Sequence, residues 1–218
     1  MRGMSPTDSD RIGIVVGLTA EARIARRTFW RVEIGGGTPA GAAAAAHRLI
    51  AGGATALISF GLAGGLDPLL RPGMVIVPDS VQTQGREIAT DAGLNALLGG
   101  ATPHCMLAAE GIIPSAPAKH HMWIATSCAA VDLESGAVAL AAEAAGLPFA
   151  VLRAICDPAE RDLPPAALAA LNKRGAIGLA RVVGSVLAHP MQLPALLALA
   201  RDAAAARRAL ITRVGRGC

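Results

Sequence analysis

Apolar and polar positions along the chain fall into two alternating kinds of segment. "RIGIVVG" (11–17), "ATALISF" (54–60), "MVIVP" (74–78) and "LPFAVLRAI" (147–155) are short β-rich apolar runs bounded by glycine or proline, the pattern of buried strands. Between them lie Ala-rich segments of helical character. "LTAEARIARR" has Thr19 as its expected N-cap, and "AAAAAHRLIAGG" is stopped by glycines. "FWRVEI" reads as a further strand, "CMLAAEGII" as another, "KHHMWIAT" as a short helix, and "CAAVDL" as a strand running into the helix "ESGAVALAAEAAG". Two helices, about 165–187 and 192–213, close the chain, whereas 82–103 carries no clear period. Strands alternating with helices predict a three-layer α/β/α domain over 11–218 with a mostly parallel central sheet, after a flexible tail at 1–10.

Composition narrows the function. The 218 residues are 53% hydrophobic and 17% charged, which excludes extensive disorder. With three Phe, two Trp and no Tyr, a base-stacking surface is not expected, and nucleic acid is not an expected partner. The net charge of +4 comes from the C-terminal segment, where Arg201, Arg207, Arg208, Arg213 and Arg216 face only Asp202. Cys105, Cys128, Cys156 and Cys218 form no C-x-x-C pair and have no histidine at metal-ligand spacing. They read as buried thiols of a reducing compartment, neither staples nor zinc ligands, and no metal is expected. The N-terminus lacks the apolar core of a secretory signal, so a cytoplasmic location is expected.

In open α/β sheets ligands bind beyond the carboxyl ends of the strands. Four segments put unusual residues there: Gly17–Arg23, Gly61–Asp67, Asp132–Glu134 and Arg153–Asp157. Each has a bland alternative. Asp157 before Pro158 suits a turn acid with Arg153 as its ion partner, or a proton donor to a leaving group. Glu134 suits the positive end of a helix, or a carboxylate accepting two vicinal hydroxyls of a ribose. Glu21 suits a first-turn acid, or a base for water; Arg23, Gly17 and the turn amides suit a phosphate. "GLAGGL", with Leu62, Ala63 and Gly64, is a tight turn or a close backbone approach to a ligand. "GGGTPA" (35–40) fits a dinucleotide-binding pattern, but no acid occurs between Glu33 and Asp67, so no such cofactor is expected. His120, His121 and Trp123 read as surface or packing residues.

"IGIVVGLTAEARIA", "ISFGLAGGLDPLLRPGMVIVPD", "AVDLES" and "PFAVLRAICDPAE", in this order, resemble the purine nucleoside phosphorylase and 5′-methylthioadenosine/S-adenosylhomocysteine nucleosidase superfamily over about residues 11–187. With "HPMQLPALLALARDA", the pattern is most similar to the hopanoid-associated phosphorylase branch. The resemblance implies cleavage of the N-glycosidic bond of a 5′-modified adenosine. Adenosylhopane is the first expectation, with release of adenine and ribosylhopane or its phosphorylated form. A soluble methylthioadenosine or adenosylhomocysteine nucleosidase is the alternative, and a non-catalytic nucleoside-binding domain the second.

The resemblance also implies roles. Asp157 protonates the departing purine, Glu134 binds the ribose hydroxyls, Leu133 packs on the sugar, Glu21 activates water, Arg153 stands beside the water or phosphate, and Ser115 lies in an adenine-side loop. It implies no cofactor, inorganic phosphate as an optional co-substrate, and a homo-oligomer. Leu62 and Cys156 stand where the superfamily has serines, and the segment after Ser115 is short. Acid and base roles predict a raised pKa for Asp157 and none for Glu21. The amphipathic C-terminal helix is expected either to pack on its own domain or to touch a membrane surface.

Overall fold

The computed structural model describes residues 11–170 and 188–215. The elements run β1 (Ile12–Val16), α1 (Thr19–Ala25), β2 (Arg31–Ile34), α2 (Pro39–Ala51), β3 (Ala56–Gly65), β4 (Val75–Ile76), β5 (Pro78–Thr83) and β6 (Arg86–Ala89). They continue with α3 (Ala92–Leu97), β7 (Thr102–Ala108), α4 (Ala116–Thr126), β8 (Ala130–Asp132), α5 (Ser135–Ala144), β9 (Phe149–Asp157), α6 (Pro165–Ala170) and α7 (Leu193–Val214). The strands form one sheet in the order β2-β1-β3-β8-β7-β5-β6, with β9 beside β3 and β4 beside β9. The pairs β1–β2, β1–β3, β3–β9, β5–β7 and β7–β8 are parallel; β3–β8, β4–β9 and β5–β6 are antiparallel.

Alternation along the central strands sorts the core into two layers. Leu57 of β3 and Phe149, Val151 and Ile155 of β9 face Ala42, Ala45 and Ala46 of α2 and Ala139 and Ala142 of α5. Ile12, Ile14, Ile58, Phe60, Ala150 and Leu152 face α1 and the Ala206, Leu210 and Val214 stripe of α7. The sheet is therefore covered on both faces, the three-layer arrangement the sequence predicts.

Several expectations are corrected. The glycine-rich "GLAGG" is not a turn: β3 runs through it to Gly65, because β9 and β8 hold both of its sides. Thr19 opens α1, and the N-cap is Leu18. α4 begins at Ala116, three residues before the "KHHMWIAT" segment, with Pro117 in its first turn, where the missing N–H costs nothing. The illegible 82–103 stretch holds the hairpin β5–β6 and the short α3, capped by Asp91 accepting from Leu94 N–H at 2.8 Å. Of the helix expected at 165–187, the beginning is α6; its remainder, and the tail at 1–10, lie outside the described residues. Among the described residues no helix is long and apolar enough to cross a membrane. α7 packs on its own sheet, with Arg213 donating to Leu98 O (2.9 Å) and Arg161 paired with Asp202.

Candidate active site at the carboxyl ends of the strands

Arg153 is the hub. It points from the middle of β9 to the α5 face of the sheet and is 1% exposed. Its Nη2 lies 2.6 Å from Asp132 Oδ2 and 3.5 Å from Glu134 Oε2, and donates to Ser59 Oγ at 2.6 Å. Nη1 donates to Leu62 O at 3.4 Å, while the buried Nε has no partner. The expected Arg153–Asp157 ion pair is therefore not formed; Arg153 pairs with the acids that lead into α5.

Those two acids divide the work. Asp132 Oδ1 accepts from Glu134 N–H (3.3 Å) and Ser135 N–H (3.1 Å), and Oδ2 accepts from the Ser135 hydroxyl, so Asp132 closes the turn into α5. Glu134 is the N-cap residue, yet its carboxylate makes no bond to its own helix. It reaches across to Gly37 N–H (3.2 Å) and towards Arg153. A helix-stabilising acid would bond its own first turn, so this geometry disfavours the bland alternative for Glu134.

Glu21, at the third position of α1, is buried. Its Oε2 accepts from Leu18 N–H (2.8 Å) and its Oε1 from Leu62 N–H (2.9 Å). Two glycines make room for these acids. A Cβ on Gly61 would lie 2.5 Å from both Glu21 Oε1 and Arg153 Nη1, and one on Gly17 would lie 2.7 Å from Glu134 Oε2. Three carboxylates thus surround one guanidinium, an excess of negative charge in a buried place. Burial raises the pKa of Glu21 against the opposing pull of Arg153 and the backbone amides. It pushes Glu134 up to about 7, helped by the charges of Glu21 and Asp132. The expectation that Glu21 stays unshifted is corrected: its hydrogen bonds do not outweigh its desolvation.

Asp157 ends β9, roughly 13 Å of extended chain beyond Arg153. A bulge falls just before it, so Gly64 faces Asp157 where Ala63 faces Ile155. Such bulges re-aim a side chain. Asp157 Oδ2 lies 2.6 Å from Lys119 Nζ, on α4. Lys119 is 1% exposed and also donates to Pro158 O (3.0 Å) and Arg161 O (2.8 Å). Burial raises the Asp157 pKa, and Lys119 opposes it. His120 and Ala159, close to this pair along the chain, help line an open pocket of about 400 Å³ with Leu66, Pro68, Pro117 and Glu160.

The remaining expected residues scatter. Leu62 lends its amide to Glu21, and Ala63 packs into the α2–α5 layer, away from a ligand role. Gly64 faces Asp157 and Leu133 is half-buried between the two acids. Ser115 caps α4, accepting from Ala118 N–H at 3.4 Å, one turn before Lys119. Arg23 is exposed on the last turn of α1 and meets none of the cluster. Sequence reasoning missed Lys119, Ser59, Ser135 and the Gly37 amide, which belongs to the "GGGTPA" loop set aside above. No signal in the sequence marked Lys119, an isolated lysine before two histidines. Among the described residues no group of three or more His, Cys, Asp or Glu side chains is arranged to hold a metal ion.

The Glu134 shift has a measurable consequence. A carboxyl whose folded pKa is about 7, against an ordinary 4.5, keeps its proton longer when folded. Its contribution to stability is full below the ordinary value and is lost as pH rises through 7. Urea unfolding at pH 5 and pH 8 should show the wild type losing about 2–3 kcal/mol more over this interval than Glu134→Gln does. Equal pH dependence in the two proteins would contradict the buried, charge-crowded carboxyl.

One sheet covered by helices on both faces, with acids gathered past its strand ends, is the three-layer α/β/α arrangement of the nucleoside phosphorylase type. The sequence pattern of the Phosphorylase superfamily matches residues 14–104 and 104–188, and the chain belongs to that superfamily. No curated protein matches it significantly. Among solved structures it is similar to S-adenosylhomocysteine nucleosidase from Streptococcus pyogenes in complex with 5-methylthiotubericidin (20% identity, TM-score 0.63, covering 80% of this chain and 93% of that one). It is also similar to futalosine hydrolase of Helicobacter pylori (16%, 0.66, 94% and 97%). A third likeness is a 5′-methylthioadenosine/S-adenosylhomocysteine nucleosidase from Colwellia psychrerythraea in complex with adenine (18%, 0.63, 81% and 94%). At these identities the likeness establishes the shared fold.

Proposed function

We propose that the chain is a nucleosidase that hydrolyses the N-glycosidic bond of a 5′-modified adenosine and releases adenine. The observation that carries the hydrolytic reading is the seat of Glu21. Its carboxylate occupies the Leu18 and Leu62 amides, and Asp132 and Glu134 cover Arg153. The amides and the guanidinium that would cradle a phosphate are taken by the protein's own acids, and a phosphate dianion would enter a place already rich in negative charge. A water beside Glu21 meets no such opposition.

The bond between C1′ and the purine nitrogen breaks as positive charge gathers on the sugar. Fixed negative charge from Glu134, Asp132 and Glu21 stabilises that charge without reorganising. Glu134, ionised, accepts the ribose hydroxyl hydrogens. Glu21 takes the proton of the water whose oxygen bonds to C1′. Asp157, protonated, gives its proton to the purine as it leaves, and Lys119 holds the carboxyl in place. The adenine in the Colwellia relative and the nucleosidase activity named for the Streptococcus relative support the same leaving group.

For the 5′ substituent the reading is a hopanoid, as in adenosylhopane. Support comes from the sequence resemblance and from Met191, Leu193 and Leu197, which stay exposed around the start of α7 as a route for contact with a lipid surface. A soluble methylthio- or homocysteinyl-adenosine is the competing substrate.

The test is adenine release from adenosylhopane and from 5′-methylthioadenosine, with and without inorganic phosphate, in ¹⁸O-labelled water. The expected result is a phosphate-independent rate, label in the sugar product, and higher kcat/KM with the lipid. A ribose 1-phosphate product overturns hydrolysis; a higher kcat/KM with methylthioadenosine overturns the hopanoid. Glu21→Gln should slow release by about 10²–10⁴-fold, the usual contribution of a general base.

A further inference from the structure

Cys105 and Cys128 lie away from the Arg153 cluster and take no part in the chemistry above. Their sulfurs are 2.7 Å apart, closer than two thiols pack without bonding, and neither is bonded in a disulfide. Backbone structure brings them together. Cys105 is on β7 and its carbonyl accepts from Ala129 N–H at 3.0 Å. Cys128 follows Ser127, which ends α4 in the left-handed conformation (φ 57°), and the Cys128 N–H donates to Thr126 Oγ1 at 3.2 Å. The next register positions, Met106–Ala130 and Leu107–Val131, are parallel ladder pairs. The pairing of the sulfurs is thus set by the strand register and the helix end.

We propose that Cys105 and Cys128 form an oxidisable dithiol, a modification site at which a peroxide converts the two thiols into an intramolecular disulfide. Cys105, partly exposed where a buried thiol is expected from the sequence, is the attacking group, and the buried Cys128 is the resolving one. Cys105 gives up its proton, its thiolate attacks one peroxide oxygen, the O–O bond breaks, and the departing hydroxide takes up a proton and leaves as water, giving a sulfenic acid. The Cys128 sulfur then attacks the sulfenic sulfur, a second water leaves, and the S–S bond forms. Two sulfurs are oxidised and one peroxide is reduced. The sulfurs need to close by only about 0.7 Å to reach bonding distance.

The electrostatics agree with this order. The hydrogen bond from Cys128 brings the Cys105 thiol down to about 7, with the Ser80 hydroxyl and the Gln82 amide assisting and burial and Glu87 opposing. Cys128 is held in its thiol form by the same bond. Burial pushes Cys156 up to about 12, so it does not compete. The chain between the two cysteines contains α4 and Lys119, so the disulfide closes a loop around the partner of Asp157.

The experiment uses full-length protein carrying Cys218→Ser. Brief alkylation at pH 7 should label Cys105 before Cys128 and Cys156. After stoichiometric hydrogen peroxide, tryptic mapping should find peptide 87–119 joined to peptide 120–153, two hydrogens lighter than their sum and separated by dithiothreitol. Cys105→Ser and Cys128→Ala should each abolish the joined species; the wild-type map needs neither variant to fold. Sulfinic acid on Cys105 without a joined peptide, a bridge to Cys156, a bridge only between molecules, or full alkylation of both cysteines after peroxide overturns the proposal.

Discussion

Asp157→Asn should lower the rate of adenine release by about 10²–10⁴-fold, the range a lost general acid commands. Asparagine keeps the shape and can still accept from Lys119 Nζ, which also retains its bonds to the Pro158 and Arg161 carbonyls. The variant should therefore fold, with a melting temperature near that of the wild type, and fail only in delivering a proton. Lys119→Met is the companion. Lys119 opposes the burial that raises the Asp157 pKa, so its removal lets that pKa rise further. The limb of the pH–rate profile on which Asp157 loses its proton then moves to higher pH. Asp157→Asn with more than a tenth of wild-type activity would sink the assignment of this carboxyl as the acid. An unmoved pH profile in Lys119→Met would sink the coupling between the pair.

Arg153→Met should have the largest effect on stability. It removes the guanidinium that, alone among the described residues, faces Asp132, Glu134 and Glu21, and leaves their charge buried without compensation. Breaking a buried pair in this way costs about 3–5 kcal/mol, a large share of the 5–15 kcal/mol that holds a typical domain together. For a chain of this size that is a fall in melting temperature of roughly 6–20 °C at pH 8. The deficit should shrink as the pH is lowered towards 5, because the stranded carboxyls can then take protons. Thermal unfolding across that range checks both statements. A variant as stable as the wild type at pH 8 would mean that the three acids are already protonated or solvated.

The strands were readable because the period of the apolar residues and their glycine or proline bounds coincide at "IGIVV" and "FAVLRAI". Burial on both faces leaves such runs little alternative to a central sheet strand. Arg153 stood out as one charge in an apolar strand, and Asp132 and Glu134 as acids at the mouth of a buried helix. Their pairing could not be read, because a bulge of one residue on β9 takes Asp157 away from the α5 face and hands it to Lys119. The "GLAGG" segment misled for a related reason: glycines signal a turn locally, but strands on both sides extend β3 through them. The "GGGTPA" loop was set aside as a dinucleotide site, and its Gly37 amide still reaches the candidate site. Lys119 carried no local signal at all, since nothing in "AKHH" says that a lysine will be buried.

By itself the chain's pattern of apolar runs determined the layers, most of the central strands and which acids stand beyond them, because periodicity and glycine placement act over a few residues. Tertiary structure decided the partners: which acid neutralises Arg153, which lysine meets Asp157, and which amides Glu21 occupies. Those choices follow from strand register, one bulge and burial. They bring together residues up to 97 positions apart, as in the bond from Gly37 N–H to Glu134, and no local pattern encodes them.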